Sequence, residues 1–274
     1  MKVVSLIDCD YYTEGPAVDQ DGNIYFTTLT GGKIMMIDAK GTSSVWAESS
    51  CPNGQRILSN GDHLVCDSKL GKVIRFDASG KKIGDAASGT CGDTTIQTPN
   101  DLVVDEDAGF YFTDSLRYTG SVYFFGVDGS KRVVASGLDY PNGICLSRNK
   151  TKLFIAESYK NRILIIDLKD PGVPATGPRV FCQLPANEEN SETGNLPDGI
   201  LTDASDRLWV AHYGMQAVQL ISSQGDLIAS YNTEIPLTSN LCFVKDGVEL
   251  VVTGGRGEPG PGNVNVLMFS KNHQ

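Results

Sequence analysis

Asp19 to Thr28, DQDGNIYFTT, followed by Gly32 to Asp38, GKIMMID, sets a pattern that the rest of the chain repeats. A turn containing Gly or Asp leads into a short apolar run that ends in small polar residues, and a second apolar run follows. It recurs as LSNGDHLVCDS from Leu58 with GKVIRFD, VDEDAGFYFTDS from Val104 with GSVYFFGVDG, and LSRNKTKLFIAES from Leu146 with NRILIIDL. TDASDRLWVAHYG from Thr202 with QAVQLISSQGD, and VKDGVELVVTGG from Val244 with NVNVLMFS, complete six copies. The first runs, taken as the first strands of their units, centre near residues 25, 65, 112, 155, 210 and 251, roughly 40 to 55 residues apart. No long helical periodicity competes with them. Six such units predict an all-β chain, a six-bladed β-propeller. A two-sheet sandwich would not require an even sixfold repeat.

The ends of the chain add a detail. The last copy stops soon after VNVLMFS and lacks a following strand, while VVSLID near the N-terminus lacks a partner. Val3–Ile7 is therefore predicted to supply the outer strand of the last blade, closing the ring and covering two open edges. No linker or low-complexity stretch divides the sequence, so residues 1–274 are read as one domain.

Composition narrows the partners. Hydrophobic residues make up 40% of the chain, enough for a sizeable core, and charged residues only 20%, too few for a disordered chain. The net charge of −10, with no Lys/Arg cluster, disfavours nucleic acid and anionic membranes. The opening MKVVSLIDCD is too soon interrupted by acidic residues to read as a secretory signal. Seven scattered cysteines without a C-x-x-C pair read as free thiols in a reducing cytoplasm, a Cys51–Cys91 bridge being the alternative. No protein partner is predicted; a small molecule is.

In a propeller the innermost strand of each blade opens at one rim of the central channel. Reading back from each turn gives six opening residues: Glu14 in TEGPAVD, Asn53 in CPNGQRI, Asn100 in TPNDLVVD, Asn142 in YPNGICLS, Asp198 in LPDGILTD and Asn240 in TSNLCFV. Four residues after Glu14, Asn100, Asn142 and Asp198 come Val18, Val104, Leu146 and Thr202, each just before its turn, so the register is shared. Asn-Gly and Asp-Gly are ordinary turn dipeptides one at a time. In register across separate blades they line one mouth with two carboxylates and four amides. An all-oxygen lining suits a hard divalent cation, Ca²⁺ first, with Mg²⁺, Mn²⁺ or Zn²⁺ as alternatives. The candidate ligands are these six opening residues; Glu14 and Asp198 bring the charge, and Asp198 is the expected base for a water attacking an ester-like carbonyl.

Loops at the same rim carry Arg117 and Tyr118, Tyr159, His212 with Tyr213, and Arg256. With Asn53 and Asn100, the residues Arg117, Tyr118, His212 and Arg256 are the expected substrate contacts. His63 and His273 are expected to face solvent. The stretch PANEENSETGNLPD from Pro185 is either a lid or an insertion lengthening one repeat. No G-x-S-x-G elbow, H-E-x-x-H helix or phosphate loop is present.

The junctions TEGP, TPND, YPNG and LPDG, with FYFTD and WVAHYG after them, resemble the gluconolactonase / senescence-marker-protein (regucalcin)-like family, which includes luciferin-regenerating enzyme and the drug-responsive lactonase. The resemblance covers nearly the whole chain. It implies that Glu14, Asn142 and Asp198 bind one divalent metal, and that Asn100 binds the metal or the substrate beside it. Sugar-lactonase members often carry an Arg two residues before the third-blade Asn, where this chain has Thr98. The implied activity is lactone hydrolysis. A phosphotriesterase similar to diisopropylfluorophosphatase, and a non-catalytic propeller binding partners on its faces, are the alternatives.

Overall fold

The runs of alternating and apolar residues form six large antiparallel sheets and a separate two-stranded one, Thr90–Cys91 with Thr94–Thr95, seen in a computed structural model that describes residues 1–190, 192–244 and 248–269. Each large sheet is one blade. The first comprises Glu14–Val18, Ile24–Thr27, Lys33–Ile37 and Ser43–Glu48, paired in that order. Blades 2, 3 and 5 repeat the plan with four strands each, and blade 4 adds a short fifth strand, Val173–Pro174. The opening strands touch one another in a closed ring: Glu14–Val18, Pro52–Ile57, Pro99–Asp105, Pro141–Leu146, Leu196–Thr202, Leu237–Phe243, and back to the first. These six are the inner wall of the propeller. The runs centred near residues 25 to 251 are thus the second strands of their blades, not the first, and the runs that follow them are the third.

The last blade is closed as expected. Lys2–Cys9 pairs antiparallel with Gly262–Met268, Val3 opposite Leu267 and Val4 opposite Val266. Thr13 locks the seam by donating its hydroxyl to Gly254 O (2.9 Å) and Asn263 O (2.6 Å). Strand closure of this kind removes the open edges at which a blade would otherwise pair with a second molecule.

The hydrophobic core is divided into six wedges, one between each pair of neighbouring blades. Phe26 and Ile37 of blade 1 meet Val251 and Val264 of blade 6, and Ile34 of blade 1 meets Val65 and Ile74 of blade 2. The wedge between blades 3 and 4 holds Tyr111, Phe124, Ile144 and Ile155, all within 2% of full burial. Each buried Val, Ile or Phe contributes about 1.5–3 kcal/mol, so every blade depends on both neighbours.

All six inner strands carry a register shift near their start, between Glu14 and Ala17, Pro52 and Gln55, Pro99 and Leu102, Pro141 and Ile144, Pro197 and Ile200, and Thr238 and Leu241. A bulge re-aims the side chain at its extra residue. Here the six bulges fall on the six opening residues. Glycine follows four of them, and at Gly143 a Cβ would overlap Asp198 O on the next blade, so only glycine allows the strands to approach this closely.

His63 departs from its expected exposure. It begins the second strand of blade 2, is 2% exposed, and lies between the rings of Trp46 (4.2 Å) and Tyr25 (4.7 Å). Its Nδ1 pairs with Gln55 Oε1 at 3.0 Å, and Gln55 Nε2 donates to Gly15 O at 2.8 Å. Flanking polar residues disguised an interior position. His273 lies outside the described residues. All seven cysteines are free. No helix among the described residues is long and apolar enough to cross a membrane.

Candidate metal centre

The small polar residues that end the second strands tie neighbouring blades together at the mouth. Thr27 Oγ1 donates to Asn53 O (3.0 Å), Thr113 Oγ1 to Asn142 O (2.7 Å) and Ser158 Oγ to Pro197 O (2.7 Å). Each hydroxyl therefore fixes the backbone at or next to an opening residue of the following blade.

The opening residues themselves are buried: Glu14, Asn53, Asn100, Asn142 and Asp198 are each 3–8% exposed, and Asn240 is 1% exposed. Glu14 Oε2 accepts hydrogen bonds from Gly15 N (2.8 Å) and Asn240 Nδ2 (3.0 Å), so Asn240 orients this carboxylate. By contrast Asn53 Oδ1, Asn142 Oδ1, Asp198 Oδ1 and Asp101 Oδ2 are buried oxygens with no protein partner. An unsatisfied buried acceptor costs about 1–3 kcal/mol, and four in one region mark a place for a cation or polar ligand. Among the described residues no three His, Cys, Asp or Glu form a metal-type group; at this mouth amide oxygens complete the set. Two carboxylates with carbonyl-type oxygens are the donors a hard divalent cation requires.

The electrostatics agree with that need. Burial, offset in part by the Gly15 amide and reinforced by the Asp101 charge, pushes the Glu14 carboxyl up to about 8. Burial and the Glu14 charge hold the Asp198 carboxyl well above the usual carboxylate range. Two carboxylates withdrawn from water beside one another cannot both ionise without a counter-charge.

Four residues absent from the sequence reading complete the mouth. Asp101 follows Asn100 where four other blades have glycine, is fully buried, and occupies the space beside Gly54. That substitution was its only signal. Tyr12 donates to Leu237 O (3.0 Å) and lies 6.3 Å from the Tyr213 ring. Burial, with the Asp198 charge, raises the phenols of both Tyr12 and Tyr140, keeping them protonated. Glu258 sits in the hairpin of the last blade, where its neighbour Pro259 O accepts from Tyr12 N at 2.7 Å. Its charge raises the Tyr213 phenol after burial does.

The remaining expected contacts divide. Arg117 is exposed at the rim, bonded through Nε to Asp139 Oδ1 (2.7 Å) and laid 3.5 Å over the Tyr159 ring, with Tyr118 against it at 4.7 Å. Arg256 is exposed in the same hairpin as Glu258. His212 is different, and its expected role as a substrate contact gives way to a structural one. It is fully buried, its Nε2 pairs with Asn161 Oδ1 (3.0 Å) and its Nδ1 with Gln219 Nε2 (3.4 Å), and burial pushes its pKa down to about 4. A neutral ring with both nitrogens engaged pins blade 5 to blade 4. The stretch after Pro185 is anchored rather than free: Asn190 Nδ2 donates to Gly214 O at 2.5 Å. Asp114 and Glu157 are structural acceptors, of Thr98 N and Asp139 N respectively. A cavity of about 690 Å³ lined by Leu58, Leu64, Arg75, Phe110 and Phe125 lies between blades 2 and 3, away from the carboxylates.

A closed six-bladed propeller with an oxygen-lined, acidic channel mouth is thus the class of molecule these residues define. The chain belongs to the SMP-30/gluconolactonase/LRE-like family, whose model matches residues 12–256. It is 27% identical over 282 residues to the lactonase drp35 of Staphylococcus saprophyticus, covering 95% of this chain and 84% of that protein. A gluconolactonase from Xanthomonas campestris superposes with a TM-score of 0.83 at 24% identity, covering 97% of this chain and 89% of that one. A calcium-binding regucalcin from Agrobacterium tumefaciens superposes at 0.76 with 19% identity, covering 96% and 92%. Likeness at these last two identities concerns the fold.

Proposed function

We propose that the chain is a divalent-cation-dependent lactonase acting on small, uncharged cyclic esters. The observation that carries this reading is the meeting of Asn53, Asn142 and Asp198, with partnerless buried oxygens, beside Glu14 at one mouth. Membership of a family that includes a lactonase 27% identical to this chain supports the same choice of reaction.

Glu14, Asn142 and Asp198 would hold the ion, with Asn100 as a fourth ligand or a substrate contact. Calcium fits the oxygen-only set best, and Mg²⁺, Mn²⁺ or Zn²⁺ are the competitors. When bound, such an ion supplies Lewis-acid polarisation of the lactone carbonyl and charge to offset the developing oxyanion. The protein does the rest. Asp198, whose buried Oδ1 has no protein partner, accepts the proton of the attacking water. Glu14, fixed by Gly15 and Asn240, balances the ion's charge and stays out of the proton transfer. Asn53 and Asn100 offer amide groups to orient the ester. The protonated phenols of Tyr12 and Tyr140 wall the mouth and exclude water from the reacting carbonyl. Arg117, Tyr118 and Arg256 form the outer rim that the remainder of the substrate meets.

Paired assays test the proposal: hydrolysis of a γ-lactone and of an organophosphate triester, before and after chelation and with Ca²⁺ restored. Ion-dependent opening of the lactone supports it. A triester hydrolysed at least as well moves the chain to the phosphotriesterase class. Activity that survives complete chelation overturns the ion's role.

A further inference from the structure

Of all residues on the six inner strands, only Arg56 is basic. It lies three residues along its strand from the mouth residue Asn53, its side chain about three-quarters buried. Arg56 Nη1 donates to Gln55 O at 2.7 Å and lies 3.5 Å from Asp101 Oδ1. Asp101 is fully buried; its Oδ1 accepts from Leu102 N at 2.9 Å, while Oδ2 has no partner. The guanidinium is central as well as buried. Its charge reaches the thiols of Cys145 on blade 4 and Cys242 on blade 6, both across the channel from blade 2. The Asp101 charge in turn acts on both Glu14 and Asp198.

We propose that Arg56 is a built-in counter-charge of the ion site: paired with Asp101, it sets how tightly the mouth holds a divalent cation. The inference rests on the ion-site reading above. With an ion in place, Glu14, Asp101 and Asp198 present three buried carboxylates to it, and Arg56 returns one positive charge. The net of two negatives is what one divalent ion neutralises. With Arg56 in place the ion meets a weakened field. Without it, Asp101 faces the ion uncompensated, and a buried carboxylate lacking its partner is strongly destabilising until a cation arrives. Arg56 is accordingly a positioning and affinity-setting residue, separate from the groups that touch substrate.

The test is calorimetric titration of Ca²⁺ into chelator-stripped protein, with thermal unfolding as a second readout. Arg56→Met keeps the length of the side chain and removes its charge. It should lower the Kd for Ca²⁺ about tenfold or more, as the loss of a nearby unit charge acts on a divalent ion in a protein interior. It should also enlarge the rise in Tm that Ca²⁺ produces. Arg56→Lys should keep the wild-type Kd, Asp101→Asn should raise it about tenfold, and the R56M/D101N double variant should return it towards wild type. An Arg56 that merely packs the channel would lower Tm in every variant without a signed change in Kd.

The arms separate the two readings. Wild-type protein that binds no divalent ion removes the ion site, and this inference with it. Wild-type protein that binds Ca²⁺, with R56M binding it equally or more weakly, overturns the counter-charge role and leaves the ion site standing. Should R56M not fold, D101N decides alone: Ca²⁺ binding as tight as wild type overturns the proposal, and weaker binding upholds it.

Discussion

Stripped of divalent ions, the protein should become less stable as the pH rises from 6.5 to 8, and Asp198→Asn should reduce that trend. Glu14 moves from 4.5 to about 8 on burial beside Asp101. Between those values the folded state holds a proton that the unfolded state has released, so raising the pH favours unfolding. Stability from this source is complete below 4.5 and lost as pH climbs through about 8. His63 and His212, both pushed down to about 4 by burial, stay neutral in the folded chain, while the unfolded chain still half-protonates them at pH 6.5; their fading charge adds back about 0.4 kcal/mol each across the window. The Glu14 loss, at about 1.4 kcal/mol per unit, is about 2 kcal/mol, which leaves a net loss of about 1 kcal/mol. For a chain of this size that is a fall in Tm of about 2–3 °C. Differential scanning calorimetry in chelator at pH 6.5, 7.2 and 8.0 reads it directly. Saturating Ca²⁺ should cancel the slope and raise Tm throughout, because binding to the folded state alone stabilises it. Asp198→Asn removes one of the repelling carboxylates, so its ion-free Tm at pH 8 should exceed that of wild type while its response to Ca²⁺ disappears. A wild-type Tm that is level or rising over this window, or a D198N protein that keeps the Ca²⁺ response, refutes the electrostatic account of the mouth.

Other outcomes follow from the same geometry. In turnover assays Asp198→Asn should retain the fold, judged by circular dichroism, and lose lactone hydrolysis by at least about 10²–10⁴-fold, the usual worth of a positioned base. Gly143→Ala forces a methyl group against Asp198 O on the neighbouring blade; urea unfolding should report a loss of about 1–3 kcal/mol, and the Kd for Ca²⁺ should rise. Thr113→Val removes the hydroxyl that bonds Asn142 O and should cost about 1 kcal/mol in the same assay. With Ca²⁺ saturating the mouth, the unfolded chain below pH 6.5 protonates histidines that the folded chain keeps neutral, so stability falls with pH until about 4. His63→Gln should flatten that acid limb, by up to about 3 kcal/mol at pH 4.

The ring of blades was legible because its signal is periodic. Second and third strands such as FYFTD and GSVYFFG are apolar on both faces, being clamped between neighbouring blades, so six copies stand out at regular spacing. The pairing of Val3 with Leu267 followed from a strand too few at one end and one too many at the other. The outer strands were harder to read. Ser43–Glu48 and Lys82–Ser88 are mostly exposed, and a strand with one wet face and few apolar residues leaves little pattern. The opening residues Glu14, Asn53, Asn100, Asn142, Asp198 and Asn240 could be aligned from their turns, and the structure gathers them at one mouth. What aims them is the bulge at each strand start, a backbone feature with no residue type of its own. Asp101, Tyr12, Tyr140 and Glu258 come together only in three dimensions. His63 misled because a strand-end histidine next to polar residues looks exposed in sequence, while Gln55 satisfies it inside.

Anomalous diffraction from crystals grown in Mn²⁺ tests the ion site most directly, since it locates the ion without reference to activity. A single strong peak about 2.0–2.6 Å from oxygens of Glu14, Asn142 and Asp198 is the expected result. A map with no peak among those three side chains, or with its peak on another part of the propeller, would contradict it.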